Sequence, residues 1–414
     1  MTSKSISVSS ELLDQVPAHV PRELIHPFSV FDNPEMKKCP YAAMSNLHEQ
    51  PNIFWSPLSN RGGKEDGGSW VITRADDIAR ILGDPLTFSS KSITGFSKLM
   101  GDSWDMLPLE VDPPSHTKYR NALSHFLYPK VIAGMAPGIS QRAHDLIDGI
   151  ADKNGCEFMS TFGKPFPVSI FMQLMGLPSD RMSVFLSWVK GLLHGDTITD
   201  RQAAAFEIKA YLLDLMKDRR NSPKDDLATK IVNATIDGRL WNDDEVLGTF
   251  YTFFVGGMDS VAATLGWFFR HLAEHPEHQQ YLRDNRDAIP HGAVELMRRY
   301  TITTSVRYCL RDTEINGVQI KAGDWLTIPY PLGSLDPSKF DNPMEVDFSR
   351  KHPRHFSFAS GPHFCMGSHL AMKELTIALE TWFDRIPPFR LKKDAPIEVY
   401  GDVALGIAHL EIEW

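Results

Sequence analysis

The sequence predicts a mainly α, α+β fold: a helix-rich domain with small sheets at one side and one long central helix. Three observations predict it. Apolar residues recur with a period near 3.6 from about residue 115 to about 305, as in helices that bury one face. Residues of β type are confined to short runs at 53–55, 69–73, 307–331 and 397–414. Between Val246 and Phe269 the single charge is Asp259, so that helix is buried on most of its sides.

In chain order, the segment Met1-Thr-Ser-Lys-Ser-Ile-Ser-Val lacks the apolar core of a signal peptide, and about 1–20 is expected to be flexible. Residues 53–55 and 69–73 pair as strands around the glycine-rich charged turn from Arg61 to Gly68, and Arg74 to Leu82 reads as a short helix. Residues 88–111 have no periodicity and several Gly and Ser, as a mobile loop would. Asn242 followed by Glu245 marks the start of the central helix by a reciprocal cap. Asn316-Gly317 predicts a type I′ hairpin turn, and Lys321 to Asp324 a second turn. Residues 335–364 carry little pattern and are punctuated by Pro337, Pro343, Pro353 and Pro362. A structureless run of that length counts against an ordinary domain unless it leads to a functional loop. Met366 to Leu379 reads as a helix, and 397–414 as a closing β-hairpin.

A length of 414 residues alone fits two or three domains. The motifs described below span 116 to 367 and must converge on one site, so 1–414 is read as a single domain. Apolar content of 42% supports a sizeable core, and a net charge of −9 argues against a nucleic-acid partner. The four cysteines, Cys39, Cys156, Cys309 and Cys365, show neither pairing nor metal-type spacing, which suits a reducing cytoplasm. Val246 to Phe269 is long enough to cross a membrane. Asp259 near its middle would cost roughly 2.5–3.5 kcal/mol there, so a buried helix in a soluble protein without a membrane span is the better reading.

The most informative segment is Phe358-Ala-Ser-Gly361-Pro-His-Phe-Cys365-Met-Gly367. A cysteine thiolate can ligate haem iron and favours O–O bond cleavage there. Gly361 permits a tight turn, and Gly367 lets the backbone approach a flat macrocycle. Cys365 at a helix start gains from the helix dipole and free N–H groups, which lower a thiol pKa. Phe358 shields the sulfur. A lone cysteine is more often a buried free thiol, but Phe-x-x-Gly-x-x-x-Cys-x-Gly before a helix is far more restrictive.

This loop resembles the haem-binding loop of the cytochrome P450 superfamily. Glu295-Leu-Met-Arg298 resembles its Glu-x-x-Arg helix, Gly256-Gly-Met-Asp-Ser260 its oxygen-activating helix, and His116-Thr-Lys-Tyr-Arg120 its propionate-binding helix. The resemblance runs from about residue 30 to the C-terminus. It is nearest to the bacterial camphor hydroxylase group, on Glu295-Leu-Met-Arg-Arg-Tyr300 and Val346-Asp-Phe-Ser-Arg350.

The resemblance implies the cytochrome P450 fold, with haem b ligated by Cys365, flanked by Phe358 and Gly367, its propionates met by His116, Arg120, Arg307 and His363. Asp259 and Ser260 become the proton-delivering acid and alcohol, with His194 and Lys190 as partners for Asp259. Serine stands where the family usually has threonine, and lacks the methyl that stiffens χ1. A serine hydroxyl bonded back to a helix carbonyl and an aspartate held in an ion pair are the plainer uses of these two residues. Gly256 and Gly257 remove side chains where oxygen and substrate must fit. Glu295 and Arg298 are structural, with Arg350 as their third charged partner.

Trp104 falls where the camphor hydroxylase relatives carry a ketone-binding tyrosine. Phe96, Thr252, Val255, Gly256, Thr303, Val403 and Ala404 complete an apolar wall for a small terpenoid or norisoprenoid-like substrate. The implied activity is a haem-thiolate monooxygenase using O2. Electrons come from a [2Fe-2S] ferredoxin and a separate NAD(P)H-dependent reductase, docking near Arg120 and the run Arg350-Lys-His-Pro-Arg-His355. A peroxide-driven haem-thiolate enzyme and a haem-thiolate sensor or binding protein remain as alternatives.

Overall fold

The computed structural model describes residues 13–29, 33–59, 68–401 and 404–414. Most of the expected turn from Arg61 to Gly68, the first twelve residues of the expected flexible N-terminus and Val403 lie outside the described residues.

Among the described residues, the longer helices are α1 (Ala75–Gly83), α2 (Ser115–Ser124), α3 (Pro129–Asp148), α4 (Pro165–Met175), α5 (Met182–His194), α6 (Ile198–Asn221), α7 (Asp243–Met258), α8 (Ser260–Glu274), α9 (Pro276–Asp284), α10 (Ile289–Arg299) and α11 (Ser368–Arg385). The main sheet has five short strands, β1 (Ile53–Ser56), β2 (Ser69–Ile72), β3 (Phe88–Ser89), β4 (Thr304–Cys309) and β5 (Trp325–Pro329), in the order β1-β2-β5-β4-β3. β1 and β2 pair antiparallel from Ile53 opposite Ile72 to Ser56 opposite Ser69. The chain closes with Glu398–Gly401 paired antiparallel to Leu405–His409.

Three apolar clusters build the core. One joins α3, α8 and α11 through Phe158, Phe162, Phe269 and Trp382. A second joins α4 to α7 through Phe171, Phe185, Tyr251 and Phe254. The third backs the main sheet with Trp55, Trp70 and Ile328.

The central helix begins as expected. Asn242 accepts from the Glu245 amide at 2.9 Å, and Glu245 accepts from the Asn242 amide at 2.7 Å. It is not one helix, however: α7 ends at Met258 and α8 starts at Ser260. Asp259, at φ −112°, stands at the break. The Ser260 hydroxyl donates to the Gly256 carbonyl at 2.9 Å and satisfies an acceptor at the joint. Taken through the break, Asp243–Glu274 is long and apolar enough to cross a membrane, yet 67% of its most apolar window is buried in the protein.

The segment 88–111 is tied down more firmly than its composition predicts. Glu110 is buried and accepts from the Thr94 amide (2.7 Å), the Thr94 hydroxyl (2.8 Å) and the Met106 amide (3.0 Å). Asn316 and Gly317 both have positive φ, +49° and +82°, in a tight turn between Thr313–Ile315 and Val318–Ile320. Tyr330–Ser334, expected within or after β structure, forms a helical turn that leads into the irregular segment.

Candidate active site

The cysteine loop closes on itself: the Cys365 amide donates to the Phe358 carbonyl at 2.9 Å. Gly361 sits at φ +70°, and a Cβ there would stand 2.2 Å from the Leu82 carbonyl oxygen, so only glycine fits. α11 starts at Ser368 rather than Met366. The amides of Gly367 and Ser368 are the ones directed at the sulfur. Cys365 lines a cavity, from which its side chain is accessible. Burial pushes its thiol pKa up, against the pull of the Gly367 amide, the Arg120 charge and the Ser368 amide. The expected lowering by the helix start is therefore outweighed in the polypeptide alone, because desolvation penalises a thiolate that has no metal.

The cavity, about 450 Å³, is lined by Cys365, Phe358, Gly367, Asp259, Ser260 and by residues from α2, α7, α8, β4 and α11. At one end stand His116, Arg120, Arg307 and His363. The His116 and His363 rings are 4.2 Å apart. Both His116 ring nitrogens and His363 Nε2 are buried without a hydrogen-bond partner. Burial, then the Arg120 charge, brings the His116 pKa down to about 4. Burial, then Arg307, His116 and Arg120, brings that of His363 down to about 3. Arg307 is buried, and its Nη1 donates to the Val306 carbonyl at 2.8 Å. Four donors crowded together with no anion among them are incomplete as a polypeptide structure. A ligand carrying carboxylates completes them.

Across the cavity, Asp259 is buried, with Oδ1 3.0 Å from His194 Nε2 and 3.5 Å from the Tyr400 hydroxyl. Of the two partners expected for Asp259, His194 at the end of α5 is the one in contact, whereas Lys190 is exposed. The Ser260 hydroxyl spends its proton on the Gly256 carbonyl, which leaves its oxygen free to accept. A Cβ on Gly256 would meet nothing within 4 Å, whereas one on Gly257 would stand 2.7 Å from the Phe171 ring. Gly256 thus keeps cavity space open, and Gly257 makes room for a core phenylalanine.

Phe96, Thr252, Val255, Gly256, Thr303 and Ala404 line the cavity. Trp104 does not, and this corrects the sequence expectation. Its indole N–H donates to Asp102 at 3.0 Å, and its ring packs 4.9 Å from Tyr251. Lys209 Nζ, on α6, donates to the same carboxylate at 2.5 Å. A carboxylate two residues away captures the donor expected to face a substrate.

A family model described as Cytochrome P450 matches residues 168–395, more than half of the chain. The chain belongs to the cytochrome P450 family. A probable cytochrome P450 127A1 from Sinorhizobium fredii (strain NBRC 101917 / NGR234) is 38% identical, covering 96% of this chain and 97% of that one. The crystal structure of cytochrome P450 CYP101C1 superposes with a TM-score of 0.86 at 30% identity, covering 96% of this chain and 99% of that one. That of CYP101J2 gives 0.85 at 28% identity, with the same coverages.

Haem b is the cofactor of P450 enzymes, and the residues present fit it. Cys365 would ligate the iron, and His116, Arg120, Arg307 and His363 would meet the two propionates. The thiolate-ligated haem supplies O–O bond cleavage and transfer of one oxygen atom to substrate. With it bound, the chain's own residues would hold the sulfur and meet the carboxylates, and Asp259 and Ser260 would supply an acid and an alcohol in the same cavity.

Glu295 and Arg298, both fully buried, brace the irregular segment that leads to the cysteine loop. Arg298 Nε and Nη2 donate to the two Glu295 oxygens at 2.8 Å each. Arg298 also donates to the carbonyls of Ser334, Pro343 and Glu345. Arg350 Nε donates to Glu295 Oε1 at 3.2 Å, so it is the third charged partner. That use turns Arg350 inward. Of the basic run 350–355, Lys351 and Arg354 are the exposed charges, with His352 exposed between them.

A buried carboxylate in the cavity wall escaped the sequence reading. Glu374 on α11 is buried, its Oε2 has no hydrogen-bond partner, and burial raises its pKa well above the usual carboxylate range. The signal was present: Gly367, Leu370, Ala371, Glu374 and Leu375 share one helical face, and all five line the cavity.

Proposed function

We propose that this P450 monooxygenase hydroxylates a small hydrophobic molecule of terpenoid or norisoprenoid type. It works as one domain spanning 1–414 in the cytoplasm. One observation carries the reading: a single cavity joins Cys365, the four-donor end and the Asp259–Ser260 pair, and its remaining walls are largely apolar. Such walls suit a small substrate held by shape and few polar groups. With the Trp104 N–H committed to Asp102, polar orientation falls to other groups of the wall, among them Thr252 and Thr303. The Thr252 hydroxyl donates to the Gly248 carbonyl at 2.9 Å and keeps acceptor capacity.

Electrons come from a [2Fe-2S] ferredoxin served by a separate NAD(P)H-dependent reductase. The CYP101 neighbours support this reading, and the docking face is the one above Cys365, near Arg120, Lys351 and Arg354. Asp259 is the proton carrier: its contacts with His194 and Tyr400 tie it to groups that can pass a proton inward. Ser260 holds the water that donates.

The test is turnover with a ferredoxin, a reductase and NAD(P)H over a terpenoid panel, measuring NAD(P)H, hydrogen peroxide and product together. Ser260→Ala is expected to divert consumption from product to peroxide while NAD(P)H oxidation continues. Asp259→Asn is expected to slow the whole cycle. Unchanged coupling in Ser260→Ala would remove that hydroxyl from oxygen activation. Product formed with peroxide alone, and none with the electron-transfer proteins, would reject the ferredoxin-driven reading.

A further inference from the structure

The corner between α8 and α9 carries a histidine-rich cluster remote from Cys365 in the sequence and unused by the chemistry above. His271 lies in the last turn of α8, His275 caps α9, and His278 is in the first turn of α9. The three rings are near parallel. Their centroids are 4.3 Å apart for His271 and His275, 5.1 Å for His271 and His278, and 5.4 Å for His275 and His278. Glu277 reaches His275 Nδ1 at 3.1 Å. One ligand atom each from His275, Glu277 and His278 all lie within 4.8 Å of one another.

We propose that His275, Glu277 and His278 bind a divalent transition-metal ion, Zn2+ in the first instance. Two imidazoles and a carboxylate are a recognised donor set for zinc, with bonds of about 2.0–2.2 Å and a remaining position for water. Ligand atoms on one tetrahedral zinc stand about 3.4 Å apart for those bond lengths. Rotation of the half-exposed His275 and exposed Glu277 side chains closes the difference from 4.8 Å.

What distinguishes the cluster from a chance surface group is the support behind it. Metal-binding histidines are commonly oriented by a hydrogen bond at their other ring nitrogen. His278 Nδ1 is 2.8 Å from His271 Nε2, and His271 Nδ1 is 2.8 Å from the Tyr300 hydroxyl. With metal on His278 Nε2, one set of tautomers satisfies the whole string. His278 Nδ1–H donates to His271 Nε2, and His271 Nδ1–H donates to Tyr300. The His278 ring is also held edge-on against Phe348 at 5.1 Å. His271 is buried, which holds its ring in place between His278 and Tyr300. Tyr300 lines the cavity and stacks on Trp267 at 5.8 Å. The metal would thus fasten the α8–α9 corner and fix a side chain in the cavity wall.

The experiment is calorimetric titration of Zn2+ into chelator-treated, dialysed holoenzyme without an affinity tag. One equivalent is expected to bind with a micromolar dissociation constant, and His275→Ala and Glu277→Gln are each expected to weaken it at least tenfold. Both side chains are solvent-facing, so the variants should fold, which the retained haem absorbance checks. His125→Ala, an exposed histidine elsewhere, should leave the affinity unchanged. Absence of stoichiometric binding, or 1:1 binding that survives both substitutions, would overturn the proposal.

Discussion

Replacing Glu295 by alanine removes the anion from a fully buried ion pair. Its carboxylate accepts four hydrogen bonds: two from Arg298, one from the Asp347 amide at 3.0 Å and one from Arg350. Arg298 keeps three carbonyl acceptors but has no countercharge. Removing one partner of such a pair costs about 3–5 kcal/mol, because the other charge stays buried. The Asp347 amide, left without its acceptor, adds about 1–3 kcal/mol where water cannot reach it. A native domain holds about 5–15 kcal/mol in all, so the loss is a large share of stability. The assay is denaturant unfolding of purified Glu295→Ala, followed by far-ultraviolet circular dichroism and haem absorbance. The expected result is a large fall in unfolding midpoint with poor haem retention. Glu295→Gln should fall between, since an amide oxygen can still accept but carries no charge. A loss below about 1 kcal/mol for Glu295→Ala would refute the role assigned to the pair, since surface pairs already contribute that much.

Two further outcomes follow from the geometry. Glu245, bonded first by Arg239 and also by Tyr119 and the Asn242 amide, has its pKa lowered to about 2. Its folded pKa lies below its unfolded one, so its stabilisation is present above about pH 4.5 and is lost as pH falls toward 2. Unfolding midpoints of Glu245→Gln and the parent should therefore converge on acidification; a constant gap would contradict this. Gly257→Val should disturb the Phe171 packing and lower thermal stability by about 1–3 kcal/mol as an overpacked core does, whereas a variant as stable as the parent would show that Phe171 can move aside.

Much of the fold was legible because its signals are local. The Asn242–Glu245 cap and the Asn316-Gly317 turn need only neighbours in sequence, and both form as expected. The break at Asp259 was legible only in part: the Ser260 hydroxyl bonded back to a helix carbonyl and Asp259 held by a charged partner are the plainer uses the residues suggest, and both are found. Periodicity runs through it unchanged, and the joint depends on where the Ser260 hydroxyl points. In the site, the cysteine loop was readable because few sequences satisfy its spacing. Trp104 was misplaced because position alone says nothing about Asp102 competing for its N–H. Glu374 was missed because a glutamate on an exposed-looking helix is ordinary until the helix face is known to line a cavity. Arg350 was readable as the third charged partner of Glu295 and Arg298, but not that this use withdraws it from the exposed basic run.

The identity of the axial ligand tests the whole scheme most directly. The absorbance of the reduced, carbon monoxide-bound protein reports whether haem is held by a thiolate. The strongly red-shifted Soret band is expected for the parent and should be lost in Cys365→Ser and Cys365→His, together with product formation. A variant that lacks the Cys365 sulfur and keeps that band would contradict it, because another residue would then be the ligand.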